Sequence, residues 1–185
     1  MDSSIVISWA TPVTTNENII SGTGLVWHDG TNGTRQQIGK NKWEALAPDA
    51  EVIFHRDDVI AAFNHDFAKV LGRQSNGTLS IERTDNGIAY GITLNPDDSE
   101  HQSVRAKINR GDVRGSSATF RILSHRWEAD TLLYDAIELI EIGPVTLPAM
   151  TATNRFSLSE NDYARLAIET KNRIAKFELA TIDKV

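Results

Sequence analysis

The sequence predicts a mainly β domain of the α+β class, mostly antiparallel, with one or two packed helices. Three observations carry this. Two Asn-Gly pairs, Asn76-Gly77 and Asn86-Gly87, separate alternating β-rich segments, the signature of a hairpin or meander. A long apolar run, Leu132 to Ile142, stops at Gly143-Pro144. Helical spacing occurs in two places, the short stretch Ser99 to Arg110 and a C-terminal stripe between residues 160 and 180.

Taken in order, Ile5 to Trp9 reads as a short strand and the polar Thr11 to Asn18 as a loop. Ile19 to Trp27 alternates around Gly22 and Gly24, which predicts a strand with a bend or bulge. His28 to Gly33 is turn chemistry, and Gln36 to Ala47 is too mixed to assign. Val52 to Phe54 and Val59 to Phe63 are apolar runs divided by His55-Arg56-Asp57-Asp58. Val70 to Arg73, Thr78 to Thr84 and Ile88 to Leu94 are the segments joined by the two Asn-Gly turns.

Asn95-Pro96-Asp97-Asp98 breaks the sheet and can start a helix. Val104 and Ile108 then lie one helical turn apart, and Gly111 follows as a C-terminal cap. Gly115 to Leu123 and Leu132 to Ile142 are strands. In the last segment Ser159 is placed to cap a helix whose Tyr163, Leu166, Ala167, Ile174 and Phe177 share a face.

The composition narrows the function. The chain has 185 residues, 40% hydrophobic and 24% charged, enough for one domain with a real core. A net charge of -6 argues against general affinity for nucleic acid or an anionic membrane. With no cysteine there is no disulfide scaffold, no thiolate metal site and no cysteine nucleophile. The first residues lack the basic and apolar regions of a secretory signal, and no run approaches the ~18 apolar residues that span a bilayer. There is no His-Glu-x-x-His zinc signature.

Chemistry points to Gly111-Asp-Val-Arg-Gly115-Ser116-Ser117-Ala118-Thr119-Phe120, where two small hydroxyl residues follow a glycine at the mouth of a strand. Alone, Ser117 reads more simply as a small packing residue, His65 as a turn histidine held by Asn64 or Asp66, and Glu141 as a solvent-facing strand residue. Glu141 nevertheless interrupts an apolar run, on the face that strand alternation assigns to Leu139 and Ile137. A buried carboxylate there is costly without a hydrogen-bonded partner.

The order Phe63-Asn64-His65-Asp66, Val70-Leu-Gly-Arg73, Asn76-Gly-Thr-Leu79, Gly111 to Phe120, Leu139-Ile-Glu-Ile142 and Leu147-Pro148-Ala149 resembles the prohead maturation serine proteases of tailed bacteriophages. The resemblance spans roughly residues 20 to 153. It implies a β-barrel like that of the herpesvirus assembly proteases, His65 as base, Ser117 as nucleophile and Glu141 as the residue that orients the histidine. The register of Gly115 and Phe120 selects Ser117 over Ser116, which alternation puts on the opposite face. A serine needs a base within hydrogen-bond reach, and an imidazole of pKa ~6.5 suits the task. An anionic third group holds the useful tautomer.

The resemblance further implies a serine endopeptidase that cuts the scaffold region of the capsid protein, or a separate scaffold protein, and itself. It would act in the host cytoplasm inside the immature shell, with no metal or organic cofactor. Residues 1–155 would form the barrel. Residues 156–185 would form a helix that packs on it or mediates a homodimer. The chain departs from the family pattern at Ser116 (methionine), at Ala118 (phenylalanine) and after Glu141, where Ile142-Gly143 replaces valine-serine. No arginine lies between Glu141 and Arg155, so the oxyanion donors stay unassigned. His125 is the substitute base. The other reading is a non-catalytic assembly module that keeps the fold.

Overall fold

A computed structural model describes residues 4–9 and 13–148. The strands are β1 (Ser4–Trp9), β2 (Thr14–Asn16), β3 (Ile19–Val26), β4 (Gln36–Gly39), β5 (Lys42–Phe54), β6 (Ile60–Ala62), β7 (Val70–Arg73), β8 (Leu79–Thr84), β9 (Gly87–Thr93), β10 (Gly115–Glu128) and β11 (Thr131–Val145). One helix, α1 (Ser99–Arg110), stands among them. The mainly β class holds. The C-terminal helix and the 156–185 unit expected from the sequence lie outside the described residues.

β11 is the spine of the larger sheet. It pairs antiparallel with β10 along one edge, and β1 extends that edge. Along its other edge it pairs in parallel first with β5 and then, at Glu141 and Ile60, with β6. The smaller sheet runs β2-β3-β9-β8, all antiparallel. The expected closed barrel does not appear in the ladders: among the described residues they make two separate sheets. They meet by packing, with β3 crossing β10 and β11. Gly24 allows this, because a Cβ there would lie 2.3 Å from Ile142 Cγ1. Side chains of both sheets, Ile20, Leu25, Tyr90 and Ile92 against Phe120, Tyr134, Ile137 and Leu139, then form one core. Each such large side chain contributes about 1.5–3 kcal/mol by leaving water.

α1 matches its sequence signals. Asp98 accepts from the Glu100 and His101 amides, and Gly111 takes φ 85° at the C-terminal end, where its amide reaches back to Ile108. Val104 and Ile108 are its buried residues.

Three local expectations change. The predicted loop Thr11 to Asn18 contains β2, which pairs with β3. The unassigned Gln36 to Ala47 is β4 and the start of β5. β5 was hidden because it does not alternate: between Tyr134↔Leu46 and Ala136↔Glu51 it bulges around Pro48-Asp49. Arg83 serves the bulge by donating to the Ala50 and Pro48 carbonyls at 2.9 and 3.1 Å while stacking on Trp27. Asn86-Gly87 closes the β8–β9 hairpin, but Asn76-Gly77 does not close one. β7 pairs with β6 and β8 with β9, so this turn carries the chain from one sheet to the other.

Candidate active site

The site is built where β10 and β11 enter the sheet. Ser117 is paired with Gly143 and Thr119 with Glu141, so all four lie on one face. Ser116, Ala118 and Phe120 face the other way, into the core. There Ser116 Oγ lies 2.9 Å from the Tyr90 hydroxyl. The alternation expected for the two serines is therefore observed. The face assigned to Glu141 is a correction. The register slips between Thr119↔Glu141 and Phe120↔Leu139, so β11 carries an extra residue, Ile140. This bulge leaves Leu139 and Ile137 with Phe120 in the core and turns Glu141 to the opposite face.

The histidine arrives from β6. Beyond Ala62 the chain makes a single 3-10 turn, Phe63–His65, in which Asn64 (φ 55°, ψ 35°) and His65 (φ 56°) are both left-handed. Such backbone costs of order 1–3 kcal/mol per residue and persists only where surroundings enforce it. Several contacts enforce it here. The Thr146 amide donates to Asn64 Oδ1 at 2.7 Å, and Asn64 Nδ2 donates to Thr146 Oγ1 at 3.1 Å. The Asp66 amide donates to the Phe63 carbonyl, the Lys69 amide to the Asp66 carbonyl and the Phe63 amide to the Lys69 carbonyl, closing the loop on itself. Gly143 provides the room: a Cβ on it would stand 2.5 Å from the Ala62 carbonyl oxygen.

His65 Nδ1 lies 2.6 Å from Glu141 Oε2. Thr119 Oγ1 donates to the same oxygen at 2.9 Å and sits 3.2 Å from His65 Nδ1. Glu141 is fully buried, so an ionised carboxylate here depends on these donors. With Nδ1–H given to Glu141, the free lone pair of the ring is on Nε2. That atom is buried and has no hydrogen-bond partner among the described residues, and the same is true of Glu141 Oε1. Such an imidazole can take a proton at Nε2 while the carboxylate stabilises the cation that forms.

The structure thus brings two of the three sequence-predicted residues, His65 and Glu141, into direct contact. Ser117 stands on the same face, two residues before Thr119 on β10 and so roughly 7 Å along the strand. It is fully buried. The other histidines are engaged elsewhere. His28 Nδ1 meets Thr34 Oγ1, His55 lies beside Glu138, and His101 bridges the Asn95 amide and the Val70 carbonyl. His125, the substitute base, pairs opposite Tyr134 on the exposed half of β10, roughly 25 Å from Ser117 along the strand.

Among the described residues no three His, Asp or Glu side chains converge as a metal set. No described helix is long and apolar enough to cross a membrane. A surface cleft of about 470 Å³, lined by Trp27, His28, Asp29, Arg83 and Asp85 among others, contains none of His65, Ser117, Thr119 and Glu141.

Thr119 and Thr146 were not singled out from the sequence, and Asn64 was only part of a motif. The one available signal was spacing: Thr119 follows Ser117 by two residues and must share its face in a regular strand.

A search of curated proteins finds none that matches the chain. Among solved structures, that of the bacteriophage T4 capsid assembly protease aligns with a TM-score of 0.45 and 10% identity, over 80% of this chain and 99% of that one. The family model for the caudovirus prohead serine protease matches residues 7–166, a span that holds both the left-handed histidine turn and the paired ends of β10 and β11. The chain belongs to the caudovirus prohead serine protease family.

Proposed function

We propose that the chain is a prohead maturation serine endopeptidase in which Ser117 is the nucleophile, His65 the general base and Glu141 the residue that orients His65. The observation that carries this reading is the 2.6 Å contact between His65 Nδ1 and a fully buried Glu141, on the sheet face that also bears Ser117. In the first step Ser117 Oγ bonds to the scissile carbonyl carbon and its proton passes to His65 Nε2. Collapse of the tetrahedral adduct breaks the C–N bond, and His65 returns the proton to the leaving amine. Water, deprotonated by the same nitrogen, then bonds to the acyl carbon; the C–O bond to Ser117 breaks and His65 returns the proton to Ser117 Oγ.

The substrate is the scaffold region of the capsid protein, or a separate scaffold protein, and the enzyme also processes itself. It acts in the host cytoplasm, inside the immature shell. Family membership and the residue pattern support these assignments.

One observation favours a second reading, a non-catalytic assembly module: Ser117 has no exposed surface. A nucleophile so placed reaches a peptide only after whatever covers it moves. Co-expression of the capsid protein with the wild-type chain and with Ser117→Ala separates the readings. Cleavage by the wild type alone supports the protease, and an uncut capsid protein in both cultures supports the module. Full cleavage with His65→Ala removes His65 as base.

A further inference from the structure

We propose that Thr119 is a positioning residue of the proposed protease: its hydroxyl donates to Glu141 Oε2 and thereby holds His65 in the tautomer whose Nε2 accepts the Ser117 proton. The inference rests on the catalytic reading above and adds a fourth member to it.

The argument starts from the geometry of one oxygen. Glu141 Oε2 has two neighbours, His65 Nδ1 at 2.6 Å and Thr119 Oγ1 at 2.9 Å. The other carboxylate oxygen, Oε1, has no partner among the described residues. A fully buried carboxylate is stable as an anion only to the extent that donors satisfy it. Among the described residues, Thr119 is one of two donors on Glu141. The hydroxyl proton occupies one lone pair of Oε2 and fixes the oxygen's position, leaving its other lone pair to accept from Nδ1. Without the hydroxyl, Oε2 is a poorer anchor for Nδ1–H. The ring can then carry its hydrogen on Nε2, where it cannot take a proton from serine.

The placement is enforced by the fold. Thr119 pairs directly with Glu141 in the ladder, and the β11 bulge at Ile140 is what points Glu141 at it. Thr119 is also fully buried, so no bulk water replaces its hydroxyl. The elements around the pair carry the following charged and titratable groups. The histidine loop carries Asp66, 3.6 Å from Lys69. Tyr90 of β9 lies behind β10 with its hydroxyl on Ser116. Arg121 and Glu138 pair further along the two strands, and Lys107 of α1 lies over Phe63.

The test uses Thr119→Val, which keeps the shape and removes the hydroxyl, and Thr119→Ser, which restores it. On a peptide spanning a capsid scaffold junction, T119V should lower kcat by about 10–100-fold with KM within about twofold. T119S should return kcat to near wild type. A second readout needs no turnover. In full-length Ser117→Ala protein, the ring nitrogen NMR shifts of neutral His65 should place the hydrogen on Nδ1 with Thr119 or serine and move part of it to Nε2 with valine. Thr119→Ala carries the same expectation should the valine variant not fold. An unchanged His65 tautomer in T119V, whatever its kcat, would overturn the proposal. If the wild-type chain cleaves nothing while the tautomer still depends on the hydroxyl, the protease reading fails and the role of Thr119 in holding the tautomer stands.

Discussion

Asn64 and Thr146 are joined at both ends of one amide: the Thr146 backbone N–H donates to Oδ1 at 2.7 Å and Nδ2 donates to the Thr146 hydroxyl at 3.1 Å. The residue just beyond the end of β11 thus clamps the left-handed residue before His65. Asn64→Ala removes both bonds and leaves a methyl side chain at φ 55°. The expected outcome is a stability loss of about 2 kcal/mol and a fall in turnover of at least tenfold. Asn64→Gly, free of the backbone penalty, should lose less stability. Denaturant melts and peptide cleavage rates for both variants check this, and wild-type turnover in N64A would show that the clamp does not position His65.

Glu141→Gln should separate activity from stability. The glutamine cannot act as an anionic acceptor for Nδ1–H, so kcat should drop by about 10³-fold or more. The same change removes a fully buried charge with one oxygen unpaired among the described residues, so the variant should melt at or above the wild-type temperature at pH 7. Thermal unfolding beside an activity assay reads both. A clear fall in melting temperature would mean that the carboxylate contributes net stability to the fold.

Gly143→Ala tests the room beneath the histidine turn. Its methyl group would stand 2.5 Å from the Ala62 carbonyl oxygen, a backbone atom with little freedom to yield. β6 and the turn it carries must then shift away from β11. Overpacking of this kind costs about 1–3 kcal/mol, and a displacement of about 1 Å at His65 should reduce turnover ~10²-fold. Gly39→Ala, whose Cβ would meet nothing closer than Lys42 Cβ at 3.9 Å, is the control and should stay within about 0.5 kcal/mol of wild type. Urea midpoints for the pair decide the matter.

Glu44 offers a pH test independent of the site. Burial pushes its carboxyl above the usual range, partly offset by the hydrogen bond from the Tyr134 hydroxyl. A carboxyl raised by folding contributes fully below its unfolded pKa, and that contribution is lost as pH rises through the folded value. Glu44→Gln keeps an acceptor for Tyr134 and removes the ionisation. It should therefore raise the melting temperature at pH 7 and leave it nearly unchanged at pH 4. Equal shifts at both pH values would show that folding does not raise the Glu44 carboxyl.

Much of the fold was legible where local chemistry decides structure. α1 was readable from Asp98 through Gly111 because capping groups act within one turn of their own residues. β8 and β9 were readable because Asn86-Gly87 marks a tight turn, with Asp85 and Asn86 as its loop residues, between alternating runs. β5 was not, since its bulge at Pro48-Asp49 breaks the alternation and its partner β11 lies about ninety residues away. Asn76-Gly77 misled for a related reason: a turn signal says that the chain reverses, not which strand each side will pair with.

The sequence by itself determined the mainly β class and the family pattern, and it named His65, Ser117 and Glu141 as the candidate triad. It also separated Ser117 from Ser116, because a period of two holds along the regular start of β10. Only the tertiary structure decided that Glu141 meets His65 and Thr119. Local periodicity had placed Glu141 with Leu139 and Ile137, and a single extra residue in β11 reversed it. A bulge is set by the pairing of two strands and by what packs on them, and neither is written into the five or six residues around it. The left-handed turn at Asn64 and His65 is of the same kind. Asn and His tolerate left-handed backbone better than most residues, but two in succession stand because Thr146 clamps one side and Gly143 leaves room on the other.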